Sequence, residues 1–274
     1  KDASGESNQT HYKIKISTDQ NASLWNIPTE HIHGGEITYK NRMTSGKFPS
    51  IGLGNGIATL TFTSEKQAAN RILDFKFKLK GADRTALGSA ISKAKHWNED
   101  SRKLIIEYID STKETPGEID LDIKAKGPTD DFLQFTGAGH IRLIEESLQK
   151  VNLLGVISER LDAIKLPIPS GSFSFEMLEI PFRLENDQVH SDNIVLSGPL
   201  SRLEATGRLN LVSGEIDVTS KLKLIGNLKI PILKNILNLA DPLPKIRISG
   251  DWKNPETEFI NPLDKILPLR KKSK

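Results

Sequence analysis

"LDFKFKLKGAD" (Leu73–Asp83) alternates without a break: Leu73, Phe75, Phe77 and Leu79 are apolar, while Asp74, Lys76, Lys78 and Lys80 are charged. In an extended chain successive side chains point to opposite faces. One face of this segment is therefore dry and the other wet, and the dry face needs a cover. The same period recurs along the chain. "YKIKIS" (Tyr12–Ser17) sets Tyr12, Ile14 and Ile16 against lysines, and "IATLTFT" (Ile57–Thr63) sets Ala58, Leu60 and Phe62 between threonines. "EIDLDIKAKG" (Glu118–Gly127) sets Ile119, Leu121, Ile123 and Ala125 against charges. Later runs are "FSFEM" with Phe173 and Phe175, "IPFRLE" with Phe182, and "RLNLV" with Leu209 and Leu211. "EIDVTSKLKL" with Ile216, Val218, Leu222 and Leu224, and "KIRISG", complete the set. Period-2 alternation this widespread predicts a mainly β fold of antiparallel sheet with one dry face.

Turn chemistry fits between these runs. "LVSGEI" (Leu211–Ile216) reads as a hairpin connection, "ENDQV" (Glu185–Val189) as a turn, and "TPGEI" (Thr115–Ile119) as a strand start. Helical periodicity is rarer. Ala86, Leu87, Ala90, Ile91 and Ala94 form a stripe in Ala82–Trp97, with Asp83 placed to cap it. Leu148, Val151, Leu154, Ile157, Leu161 and Ile164 form a longer stripe in Glu145–Ile164. A third, short helix is expected in Pro231–Ala240. So few helices cannot cover a dozen strand faces. Either two sheets face each other, or one elongated, curled sheet, an open sandwich, leaves an apolar groove.

Composition narrows the function classes. The chain has no cysteine, which removes disulfides, thiolate metal sites and a cysteine nucleophile. With 38 basic and 35 acidic residues, overall charge gives no case for nucleic-acid binding. No run of about 18 apolar residues predicts a spanning helix. Residues 1–11 read as a flexible lead-in, 12–265 as a β-rich domain with a possible subdivision near 128, and 266–274 as a basic tail.

Candidate sites for chemistry are sparse. His31 and His33 in "EHIHGGE" could ligate a metal from one strand face, but no third ligand stands at a suggestive spacing, so no metal is expected. "GLGNG" (Gly52–Gly56) precedes a strand and reads as a turn instead of a phosphate loop. Asp130, Asp131, Glu145 and Glu146 lie in loops and at a helix start, with no base or nucleophile in a recognisable order. Neither catalysis nor a cofactor is expected.

Three segments share a strand, a glycine, a break and a second strand: Ile123–Leu143, Ile194–Gly214 and Ile246–Pro262, with Gly127, Gly198 and Gly250 in equivalent places. From "FTGAGHIRLIEESLQKVNLLGVISERL" (Phe135–Leu161) to "FEMLEIPFRLENDQVHSDNIVLSGPLSRLEATGRLNLVSGEIDV" (Phe175–Val218), the chain resembles the C-terminal region of AsmA-like proteins. These are envelope proteins of diderm bacteria, in the wider group that includes TamB and YhdP. The closing pattern of Pro244, Ile246, Ile248, Gly250, Trp252, Asn254 and Pro255 is similar too, and the resemblance spans roughly Leu73 to Pro262. It implies a curled sheet whose apolar concave face binds phospholipid or another acyl lipid. The location it implies is the periplasmic side of the inner membrane, reached through an N-terminal membrane anchor that this chain lacks. Groove candidates are then Leu73, Phe75, Phe77, Leu79, Ile119, Leu121, Ile123, Phe173, Phe175, Phe182, Leu209, Leu211, Ile216, Val218, Leu222 and Leu224. Leu148, Val151, Leu154 and Leu161 would form a helical lid. The alternative is a β-rich scaffold or adhesion module with a filled core and no lipid.

Overall fold

The computed structural model describes residues 11–24, 26–67, 70–93, 117–145, 175–199, 201–224, 245–252 and 254–260. They form a mainly β, antiparallel structure. In chain order the strands are β1 (His11–Thr18), β2 (Ala22–Leu24), β3 (Ile27–Thr29), β4 (Ile32–Lys40), β5 (Met43–Leu53), β6 (Gly56–Gln67), β7 (Asn70–Asp83) and β8 (Gly117–Pro128). They continue as β9 (Thr136–Glu145), β10 (Met177–Glu185), β11 (Gln188–Ser197), β12 (Ser201–Asn210), β13 (Glu215–Leu224), β14 (Lys245–Asp251) and β15 (Glu256–Ile260). Helix α1 (Arg84–Ser92) follows β7, and a single 3-10 turn spans Phe132–Gln134. Thirteen strands are ordered β1-β4-β5-β6-β7-β8-β9-β10-β11-β12-β13-β14-β15, while β2 and β3 pair separately. The chain divides into two compact units, residues 1–110 with 118–139 and residues 111–117 with 140–274.

In the first unit the segment Leu73–Asp83 is a central strand. Leu60, Phe77 and Ile123 align across β6, β7 and β8, as do Phe62, Phe75 and Ala125. Leu79 and Ala82 are both buried although three residues apart. Strict alternation would put them on opposite faces. A bulge between them, at Gly81 with φ +63, restores Ala82 to the dry side. Asp120 Oδ1 accepts the Gly81 amide at 2.8 Å.

The dry face finds its cover at one end. Ile32, Phe48, Ile51, Leu53, Ala58, Leu60, Leu79, Ala82 and Leu87 form one buried cluster, against which Ala22, Leu24 and Ile27 of the β2–β3 hairpin and Ala90 and Ile91 of α1 pack. Asp83 caps α1 as its sequence position predicts, accepting the Ala86 amide at 2.7 Å. Away from α1 the cover thins. Ile37, Phe62 and Phe75 are half-buried, and on β1 Tyr12 and Ile14 are 60% and 56% exposed.

In the second unit the expected turns form. Asn186 and Asp187 connect β10 to β11, with Asn186 at φ 57 and Glu185 opposite Gln188. Residues 211–214 connect β12 to β13 with Leu209 opposite Ile216. Leu196, Leu203 and Leu222 align in one transverse row, and Ala205, Ser220 and Ile246 in the next; all six are buried. The three Gly-marked segments are the strand-to-strand junctions β8 to β9, β11 to β12 and β14 to β15.

Three expectations are corrected. Glu145 does not begin a helix; it is the buried last residue of β9, and its amide donates to Glu176 O at 2.8 Å. Its parity with Leu143, also buried, shows that the period-2 pattern outlasts the start of the helical one. Of "FSFEM", Phe175 and Glu176 precede the strand instead of lying in one, and Met177 opens β10, which takes in "IPFRLE". "RLNLV" stops early, because the Asn210 side chain accepts the amides of Val212 and Ser213 at 2.8 Å and turns the chain there. The stripe Leu148, Val151, Leu154 and Leu161, and the short helix in 231–240, lie outside the described residues.

Candidate functional site

The apolar candidates fall into two sets, one in each unit. In the first unit, Leu79 is paired with Leu121 and Phe77 with Ile123; Leu73 and Phe75 face Gly127 and Ala125; Ile119 faces Ala82. Only Leu79 is fully buried, whereas Leu73, Phe75, Phe77, Ile119, Leu121 and Ile123 are half-buried. In the second unit Phe175, Ile216 and Leu222 are buried, and Phe182, Leu209 and Val218 half-buried. Leu211 lies in the β12–β13 turn and is exposed. Leu224 ends β13, opposite Ser201. Phe173 lies outside the described residues.

Two aromatic residues shape the first set without having signalled themselves. Phe48 is fully buried, and a β-carbon added to Gly35 would stand 2.8 Å from its ring. Phe135 meets Phe75 at a tilt, ring centres 6.0 Å apart, and lies over Gly127, whose bare backbone makes the room. Phe48 escapes notice because Pro49 and a bulge between Phe48 and Ile51 interrupt the alternation of β5.

A hollow of about 520 Å³ lies along β4 to β8 of the same unit. Hydroxyls of Thr38, Ser45, Thr61 and Thr63, the cations Lys47, Lys76 and Lys124, and the carboxylates Glu36 and Asp74 line it. These are the wet partners of the alternation; Gly46, Phe62 and Phe75 border the hollow too, so its wall mixes charged, hydroxyl and apolar groups. Lys13 Nζ lies 2.8 Å from Glu36, and its hydrogen bond, opposed by desolvation, holds the Glu36 carboxyl below the usual range. His33 turns to Asp19, 2.6 Å away, while the His31 and His33 rings stack at 4.5 Å. Among the described residues no three groups converge as metal ligands, and no helix is long and apolar enough to cross a membrane.

The wet face of the second unit carries ion pairs. Arg247 donates from Nε to Asp217 Oδ1 at 3.0 Å, and Lys223 and Arg202 both reach Glu204. The hydrogen bond from Arg247 lowers the Asp217 pKa, and the one from Lys223 lowers that of Glu204. Such depressed carboxylates stabilise the fold above their unfolded pKa, and that contribution is lost as pH falls through the folded values. We expect stability to be flat from neutral pH down to about pH 5 and then to decline, by a small, salt-sensitive amount because both pairs are solvated. Denaturation midpoints against pH at low and high salt check this; an acid decline unaffected by salt would exclude these pairs as its cause.

Comparisons with family models, with curated proteins and with solved structures find no match to this chain.

Proposed function

We propose that this chain is a non-enzymatic lipid-handling domain of a diderm bacterial envelope, on the periplasmic side of the inner membrane. It binds phospholipid or another acyl lipid along the apolar face of its sheet. One observation carries the reading. The dry face of the first unit is covered by α1 and the β2–β3 hairpin at one end, while Phe62, Phe75 and Phe77 stay half-buried and Tyr12 and Ile14 exposed. A partly covered row of this kind, ending in exposed Tyr12 and Ile14, suits an acyl chain, since each buried methylene contributes about 0.8 kcal/mol. The AsmA-like resemblance points the same way.

A second reading, a scaffold with a filled core, draws on the complete burial of Phe48, Leu79, Leu196 and Ile246. Phe75→Glu separates the two. A lipid-lined face predicts that copurified phospholipid, measured by extraction and mass spectrometry, falls sharply in the variant. Stability drops by only about 1–2 kcal/mol, because the new carboxylate stays partly hydrated. Parent protein free of lipid, with a variant that unfolds outright, would leave the scaffold reading standing.

A further inference from the structure

The hollow along β4 to β8 has a charge arrangement that its own residues do not neutralise. Along the β7–β8 ladder Lys78 faces Asp122 and pairs with it at 2.6 Å, and Asp74 faces Lys126, but Lys76 faces Lys124. Like charges directly opposed across strands are destabilising. On the other side Lys76 faces Thr61, which in turn faces Lys47. Adjacent strands lie about 4.8 Å apart, so the three lysine stems rise within about 15 Å, with the Thr61 hydroxyl among them. Glu36, the carboxylate on the Lys47 side, is engaged by Lys13. Glu36 also faces Lys47 and feels its charge, so the like-charged Lys76 and Lys124 are the pair that Asp74 alone is left to balance.

We propose that this hollow binds a phosphate ester, with Lys47, Lys76 and Lys124 supplying charge and Thr61 and Thr63 supplying hydroxyl donors. Ammonium groups act as point charges toward phosphate, and a doubly charged tetrahedral anion can accept from several of them at once. The hollow falls in the size range of small-ligand sites, about 300–1,000 Å³, so it has room for an organic substituent beyond the bare ion. Phe62 and Phe75 border the hollow as well, but the proposal rests on its lysines and threonines and not on the acyl-lipid reading.

The test titrates the intact chain with glycerol 3-phosphate and with inorganic phosphate at constant ionic strength, followed by amide NMR shifts. Saturable shifts at Thr61 and Thr63, tighter for the ester, are expected. Lys76→Gln and Lys124→Gln should each weaken binding about tenfold, while Lys80→Gln, exposed on the same strand, leaves it unchanged. Relief of the like-charge pair should also raise the melting temperature of Lys76→Gln in phosphate-free buffer, a readout that poor folding could not produce. Flotation with phosphatidylglycerol vesicles, lost in both Gln variants, would make the ester a lipid headgroup; soluble binding without flotation would make it a free ester. Absence of saturable shifts, equal weakening by Lys80→Gln, or inorganic phosphate binding as tightly as the ester would overturn the proposal.

Discussion

Phe48→Ala should cost about 3–5 kcal/mol, the largest loss expected of any single truncation in the first unit. The ring is fully buried at the centre of the cluster that joins the sheet to α1 and the β2–β3 hairpin. Gly35 leaves the space its edge occupies, so on that side only backbone borders the vacancy. Chemical denaturation with hydrogen exchange read on β5, β6 and β7 measures the loss. Phe132→Ala is the control: that ring is 72% exposed, and its removal should change stability by no more than about 0.5 kcal/mol. Equal midpoints for the two variants would show that the cluster is not where the stability of this unit resides.

Gly54→Val should be about as damaging, for a different reason. Gly54 and Asn55 form the two-residue turn between β5 and β6, with φ of +60 and +63. A β-branched residue at that φ is a steric outlier. The added β-carbon would also stand 2.7 Å from the Leu87 backbone, which cannot swing aside as a side chain could. The Gly54 carbonyl accepts the Asp83 amide at 2.8 Å, so lifting the turn also disturbs the cap residue of α1. A loss above about 3 kcal/mol is expected, against about 1 kcal/mol for Asn55→Ala, which meets only the φ penalty. Similar losses in both variants would mean that α1 does not press on the turn. The same comparison bears on the proposed lipid face, because α1 and the β2–β3 hairpin together cover one end of it.

Local physics was legible from the residues alone. Alternation in Leu73–Leu79, Ile57–Thr63 and Glu118–Gly127 determines that these segments are extended and which side chains share a face, because strand geometry has a period of two whatever lies beside it. "GN" at Gly54–Asn55 within "GLGNG", "ND" at Asn186–Asp187 and the Ser-Gly of Ser213–Gly214 mark turns, because few residues tolerate positive φ. Asp83 marks the start of α1, because its side chain satisfies an otherwise unpaired amide.

Tertiary structure alone decided the rest. The bulges at His33–Gly34, Phe48–Ile51 and Gly81 shift the face parity within β4, β5 and β7, and a local pattern cannot announce a residue inserted to fit a partner strand. Phe48 and Phe135 became central through neighbours distant in sequence. Burial of the dry face depends on where α1 and the β2–β3 hairpin land, and alternation is the same beneath a helix, a lipid or water. The opposition of Lys76 to Lys124 is set by the register of two strands 48 positions apart at that point, and neither lysine alone distinguishes a binding site from a solvated face.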